Sequence, residues 1–422
     1  MDKLLIIIGL HLLVLSACQS GKPQVTEDYI LTFCLDVEAA VNQNNTVFIN
    51  SVFNSDYIIS QATNGINAPE YYETGFKTGF LQVYNLGDIM AGSIGNEGSY
   101  KFMKLLQKGD TINAFFRATS EFGLNYHEVK IVPNQLGNLN IIDMYSYADG
   151  DIFSQSIRRL YILNLVAEID SFTHPLAEHL PAINEIAKLA DSGDYEMAFK
   201  KSAKLPPVVQ DEKVVQLIQL QLANSLSIEK LDSLKDLFIE KYPDDKLIYL
   251  KAMEMAFERQ DFDAIVKNID ELDKQIGGDP YLKLIKASVY HNNIQDDVAL
   301  KLAKQCINEE PDNDEAYWLV LDILIIKKEY EKAIEYFVKM KHEFDVNAAE
   351  YIVYDGYTDF YESQPYQQWI TDNPLDKKLV PLPDSTTLQK LELELDKSKH
   401  NHEHKHGHNH DHEHKSGHDH IR

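Results

Sequence analysis

The sequence predicts an α+β N-terminal domain, helices followed by an antiparallel sheet, joined to an all-α repeat solenoid and ending in a disordered histidine-rich tail. Three observations predict it. Within the first 172 residues the apolar period changes from helical to alternating and back. A spacing of 34 residues then recurs through the helical stretch 178–345. Finally, ten of the sixteen histidines fall between His400 and His420. The organisation expected is a leader over 1–17, a tether over 18–27, the α+β domain over 28–172 and the repeats over 178–345. A helical cap over 346–373, a linker with a short helix over 374–395 and the tail over 396–422 follow.

The leader carries Lys3 and then an apolar run from Leu4 to Leu15. That run is shorter than the roughly 20 residues of a spanning helix, which is the layout of a cleavable export signal. It closes on Leu15-Ser16-Ala17-Cys18, which resembles the lipobox of bacterial lipoproteins. The resemblance implies that Cys18 is lipidated, becomes the mature N-terminus and holds the protein to a membrane through acyl chains such as palmitate. It also implies a bacterial cell-envelope location, with the outer membrane as the expected surface. An ordinary secretory signal with an incidental cysteine is the alternative. Gln19 to Pro23 reads as a short tether, and no later apolar stretch reaches the roughly 18 residues of a membrane span.

Residues 28–172 are rich in Asn, Gly, Tyr and Phe. Helical patterns occupy 28–62 and 70–91, and strand-like alternation follows at Ser99–Leu105, Thr111–Thr119, Tyr126–Val132 and Leu139–Tyr147. Lys108-Gly109-Asp110, Gly123-Leu124-Asn125 and Pro133–Asn138 supply the turns, and a helix is expected from Asp151 to Asp170. The order of elements resembles nuclear-transport-factor-like and cystatin-like cone folds, which implies a sheet curled over helices. His127, between Tyr126 and Glu128 and with Arg117 on a neighbouring strand, is the one cluster with acid–base capacity. Adjacent strand residues face opposite ways, so Tyr126 and Glu128 share a face that His127 does not, and a structural histidine is the commoner case. No catalytic residue is therefore assigned. Gly92-Ser93-Ile94-Gly95 reads as a turn; a phosphate loop, nucleophile elbow, paired-histidine zinc helix and calcium loop are all missing.

In the repeats, Leu231, Ile265, Ala299 and Ala333 stand 34 residues apart, with Ala198 33 residues before the first. Each follows a short turn, as in Gly193-Asp194-Tyr195 and Lys328-Glu329-Tyr330, and Pro243 and Pro311, with Gly277 between them, end the helices. Together with Tyr290 and Phe337 this pattern resembles the tetratricopeptide repeat over about 40% of the chain, though Leu231 and Met253 replace the usual small residues. The resemblance implies stacked helix pairs with a groove that binds a protein or peptide. An unrelated helical bundle is the alternative. Ala348–Phe360 and Tyr366–Ile370 read as the capping pair; Tyr351, Tyr354, Tyr357, Tyr361 and Tyr366 serve either its core or peptide recognition.

The tail places His400, His402, His404, His406, His408, His410, His412 and His414 at every second position, followed by His418 and His420. Neutral imidazole suits Zn²⁺, Ni²⁺ and Cu²⁺, and Glu403, Asp411, Glu413 and Asp419 supply carboxylates to complete a shell. Metal sequestration is the first expectation. A purely solubilising segment and a charge switch that turns cationic as pH falls towards about 5 are the alternatives. No organic cofactor is expected.

The net charge of −26 argues against nucleic acid as a partner, because that interface needs clustered Lys and Arg. Cys34 and Cys306, far apart in sequence, do not suggest a disulfide framework. Three function classes remain. The first is a non-enzymatic envelope lipoprotein whose repeats bind a protein; the second is a metal buffering or delivery protein. An enzyme using the α+β domain is the third.

Overall fold

A computed structural model describes residues 25–83, 85–95, 98–108, 111–121, 123–169, 173–344 and 357–372. Cys18, the linker, and the histidine tail lie outside the described residues. The chain divides into two compact units, Met1–Asp279 and Pro280–Arg422.

The first unit opens with five helices: α1 (Glu27–Asn42), α2 (Thr46–Val52), α3 (Ser55–Thr63), α4 (Glu70–Val83) and α5 (Leu86–Gly92). The stretch expected as one helical pattern over 28–62 is three helices because asparagines restart the chain. Asn45 Oδ1 accepts the Phe48 amide and Asn54 Oδ1 accepts the Tyr57 amide, each satisfying an amide that a new first turn leaves open. Asn85 does the same for α5. In α1, Phe33, Cys34, Val37, Ala40 and Val41 recur at helical spacing and are buried against the sheet. Burial pushes the Cys34 thiol up to about 12; Cys34 and Cys306 are both free and buried.

A five-stranded antiparallel meander follows in the order β1 (Ser99–Lys108), β2 (Thr111–Ser120), β3 (Gly123–Pro133), β4 (Leu139–Ser146) and β5 (Asp151–Ile152). The alternation in the sequence marks the first four. The fifth, only two residues long, occupies the start of the segment expected as helix, so α6 runs Phe153–Glu168. The outer edge of β1 would expose unpaired amides. Helix α1 covers them: Glu38 Oε2 accepts the Phe102 amide, while Asn42 both accepts from and donates to the Tyr100 backbone at 2.8 Å.

The period of two gives the sheet two distinct faces. Ala114, Phe116, Ala118, Val129, Ile131 and Met144 face α1, α2 and α5 in an apolar core. Lys104, Asn113, Phe115, Arg117, Tyr126, Glu128, Lys130, Tyr145 and Tyr147 share the opposite face, as the register Asn113↔Lys130, Phe115↔Glu128, Arg117↔Tyr126 and Glu128↔Tyr145 requires.

Helical hairpins complete this unit. After two short pieces, α7 (Pro175–Glu178) and later α10 (Pro207–Gln210), the pairs are α8 (Leu180–Asp191) with α9 (Tyr195–Ser202), α11 (Lys213–Asn224) with α12 (Ile228–Lys241), and α13 (Leu247–Glu258) with α14 (Phe262–Ile276). The second unit, described by itself, contains α15 (Pro280–Asn292) with α16 (Asp296–Glu309), α17 (Asp314–Ile326) with α18 (Tyr330–Glu343), then α19 (Thr358–Glu362) and α20 (Gln364–Asp372).

Ala198, Leu231, Ile265, Ala299 and Ala333 are each the fourth residue of the second helix of a pair, and all five are buried. Leu231 and Ile265 therefore do the packing of the usual small residue with a larger one. The turn into that helix is also repeated: Gly193, Gln260, Ile294 and Lys328 all take positive φ two residues before it begins. In the second unit Tyr361 and Tyr366 are buried with Phe337 and Phe360, and Tyr357 donates to Asp322 at 2.6 Å. These three tyrosines are packing residues; Tyr351 and Tyr354 lie outside the described residues.

Candidate functional site

His127 sits on the apolar side of β3 and is 2% exposed. Its surroundings fix its tautomer. Asn125 Oδ1 accepts the amides of Tyr126 and Ala148, both at 2.8 Å, which turns its Nδ2 towards His127 Nε2 at 3.1 Å and Ser146 Oγ at 3.2 Å. Nε2 thus accepts, and Nδ1–H donates to the Tyr100 hydroxyl at 3.1 Å. Burial pushes the imidazole down to about 4, against a smaller upward pull from Asp149. It is a neutral side chain with both nitrogens occupied, enclosed away from any substrate.

Arg117 and Tyr126 lie on the other face and converge on one carboxylate. Arg117 Nη1 meets Asp279 Oδ1 at 2.6 Å, and the Tyr126 hydroxyl donates to Asp279 Oδ2 at 2.7 Å. All three are nearly inaccessible to water. Beside them Lys104 donates to the carbonyls of Ile276 and Gly277, at the C-terminal end of α14 where the helix dipole favours a cation. Gly277 ends that helix with φ +79°, which leaves its carbonyl free to meet the lysine. The cluster of His127, Tyr126, Glu128 and Arg117 expected from the sequence is therefore divided between two sides of the sheet. Arg117 and Tyr126 fasten the sheet to the helical hairpins through Asp279, while Glu128 accepts from Tyr147.

The same polar face opens further along into a cleft of about 480 Å³. One wall is sheet: Asn113, Glu128, Lys130, Tyr145, Tyr147 and Ile152. The other is the turn between α12 and α13: Tyr242, Pro243, Asp244, Asp245 and Lys246. The Tyr145 hydroxyl donates to Asp245 Oδ1 at 2.5 Å, and Lys213 binds Asp245 Oδ2 and the Gly150 carbonyl, so the walls are held together. The Tyr147 hydroxyl donates to Glu128 Oε1 at 2.7 Å. Burial and then the neighbouring carboxylates keep both phenols protonated, well above the usual range. Asn113 is 5% exposed, and its Oδ1 has no hydrogen-bond partner. None of Asn113, Lys130 or Asp245 was singled out by the sequence. The signal for Asn113 was present, since it falls in phase with Phe115 and Arg117 on one strand face.

A second opening, about 600 Å³, lies between α11 and α12. Gln216 and Gln219 line it with Leu234 and Leu237, and Leu237 is 58% exposed. Among the described residues no group of three or more His, Cys, Asp or Glu is placed to hold a metal, and no helix is long and apolar enough to cross a membrane. Cys18 and the ten tail histidines lie outside those residues.

No protein-family model matches the chain, and no curated protein matches it. Among solved structures, the crystal structure of MamA protein is 15% identical over 40% of this chain and 93% of its own, with a TM-score of 0.29. The AMB-1 MamA structure is 13% identical over 41% and 95%, also with a TM-score of 0.29. Likeness at this level carries no functional argument, and the helical-repeat architecture rests on the spacing and packing of the helix pairs themselves.

Proposed function

We propose that this protein is a non-enzymatic scaffold of the bacterial cell envelope, anchored by lipid on Cys18, whose helical repeats bind a protein or peptide partner. The observation that carries the binding role is the opening between α11 and α12, where an exposed leucine, Leu237, stands beside the amide side chains of Gln216 and Gln219. Apolar anchors give a peptide's side chains a place to bury, while amides pair with its backbone. Enclosure of a neutral His127 favours the scaffold over an enzyme built on the α+β domain.

A photo-crosslinking residue placed at Gln219 or Leu237 tests it in cells. Partner adducts at these positions, lost on Leu237→Asp, are the expected result. Adducts that form equally from the far side of the α13–α14 pair, or none at all, would refute the groove as the binding surface.

A second reading, a metal buffering or delivery protein, is favoured by the ten histidines from His400 to His420. Alternating imidazoles with interleaved carboxylates suit Zn²⁺ or a similar ion for storage or hand-over, with the repeats as docking platform.

A further inference from the structure

We infer that the outer face of α4 is an interface between two copies of this chain, with the two α4 helices crossing antiparallel over Gly75 and Gly79. This role is separate from partner binding by the repeats.

Helix α4 holds to its own unit by one side. Tyr72, Phe76 and Phe80 pack towards α3 and α6, and the Tyr72 hydroxyl donates to the Tyr161 carbonyl at 2.9 Å. Beside that seam runs an open groove of about 440 Å³, whose α4 wall carries Tyr71, Gly75, Gly79 and Val83 in a row. Residues at four-residue intervals lie on one stripe of a helix, so these four share a face.

The glycines are unexplained by the fold. Each weakens a helix interior relative to alanine. Neither takes positive φ, and a Cβ added at either would meet nothing within 4 Å. A glycine that neither the backbone nor the packing requires leaves room for something from outside, and a bare ridge lets a second helix come close. The ends of the stripe are uncovered as well. Tyr71 is 67% exposed and Val83 72% exposed, both large apolar side chains turned to solvent at the rim of one groove.

The order of the stripe selects the occupant. Large, glycine, glycine, large reads the same in both directions, which is what a twofold axis needs. An axis midway between the glycines sets Gly75 of one copy against Gly79 of the other, and Tyr71 against Val83 at both ends of a seam about 18 Å long. Charge agrees. A chain of net charge −26 can pair with itself only through a face free of like charges. At 3.6 residues per turn Thr74, Thr78 and Gln82 flank the stripe on its solvent side, while Glu70, Glu73 and Lys77 fall round the helix from it. Glu168, the one charge lining the groove, stands by Tyr72 at one end, so the axis carries its two copies to opposite ends. One helix crossing is smaller than a standard interface, so micromolar self-association is expected.

Sedimentation of the full chain in detergent, with oxidative crosslinking of the same chain in membranes, tests the interface. The native chain should pass from monomer to dimer at micromolar concentration. Cys34 and Cys306 are buried, so an added cysteine reports alone. Thr78→Cys, close to the axis, should give a disulfide-linked dimer, and Glu73→Cys, on the far side of the helix, should not. Gly75→Ala with Gly79→Ala fits the monomer, since both positions open on empty space. It should raise the thermal midpoint, because alanine favours the helix, yet weaken dimerisation by about tenfold or more. A native chain that stays monomeric, an alanine variant that dimerises as well as the native chain, or equal crosslinking through Glu73→Cys would overturn the interface.

Discussion

Arg117 on β2 and Asp279 beyond α14 meet at 2.6 Å with side chains only 3% and 0% exposed, although they stand 162 positions apart in the sequence. Removing one partner takes the ion pair away from a side chain that water does not reach. Asp279→Ala should therefore cost about 3–5 kcal/mol of stability. Arg117→Met combined with Asp279→Leu leaves no stranded charge and should cost much less. Urea denaturation of the single and double variants separates these. A loss below about 1 kcal/mol for Asp279→Ala would be that of an exposed pair and would contradict the burial described.

The neutral His127 predicts a specific acid sensitivity. Its imidazole ionises near 6.5 when unfolded but near 4 in the folded protein, because burial disfavours the cation. Above about 6.5 neither state binds the proton, and stability is at its full value. Between about 6.5 and 4 the unfolded chain is protonated first, so stability falls as pH falls, by up to about 3 kcal/mol. Denaturation midpoints at pH 7 and pH 5, compared between the native chain and His127→Gln, should show a smaller acid loss in the variant. Equal losses would mean that other groups carry the sensitivity.

What the sequence made legible follows from how local each signal is. Alternation located four strands because one face of each must bury its side chains, and the 34-residue period located the hairpins because every pair repeats one packing problem. The restarts at Asn45 and Asn54 were hidden, since an asparagine in a helical pattern reads as a weak helix residue until its side chain is seen to cap the next turn. The role of Arg117 was hidden for another reason. Its partner Asp279 is set by how the sheet packs on α14, and no spacing along the chain encodes that. The cleft around Asn113 was illegible on the same ground, since half its lining comes from the turn at 242–246.

Ile294 holds φ +59° in the turn before α16 and is 88% exposed. A β-branched side chain in the left-handed region is strained, and this one recovers little through burial. Ile294→Gly should stabilise the protein by about 1 kcal/mol, the relief of that strain exceeding the added freedom of the unfolded glycine. Chemical denaturation checks the sign. A destabilised variant would show that the isoleucine side chain contributes packing that outweighs its backbone strain.

Lipid on Cys18 predicts a chemical signature independent of the fold. Cells fed a palmitate analogue should label the native chain and not Cys18→Ala, and the variant should leave the membrane fraction. Labelling that survives the substitution would place the acyl group elsewhere. Unlabelled native protein would leave an ordinary export signal.

The histidine tail makes the last prediction, and pH gives it a direction. Imidazole binds a metal only when neutral, so protonation below about 6.5 competes with the ion. At neutral pH the chain beginning at Gln19 should bind several Zn²⁺ ions with micromolar affinity in a calorimetric titration. The same chain ending at Leu395 lacks all ten tail histidines and should not. Lowering the pH to about 5 should abolish the difference between the two, because a tail of protonated imidazoles repels the cation. Equal, weak binding by both chains would remove metal handling from the protein's roles and leave the repeat groove as the place to look for its partner.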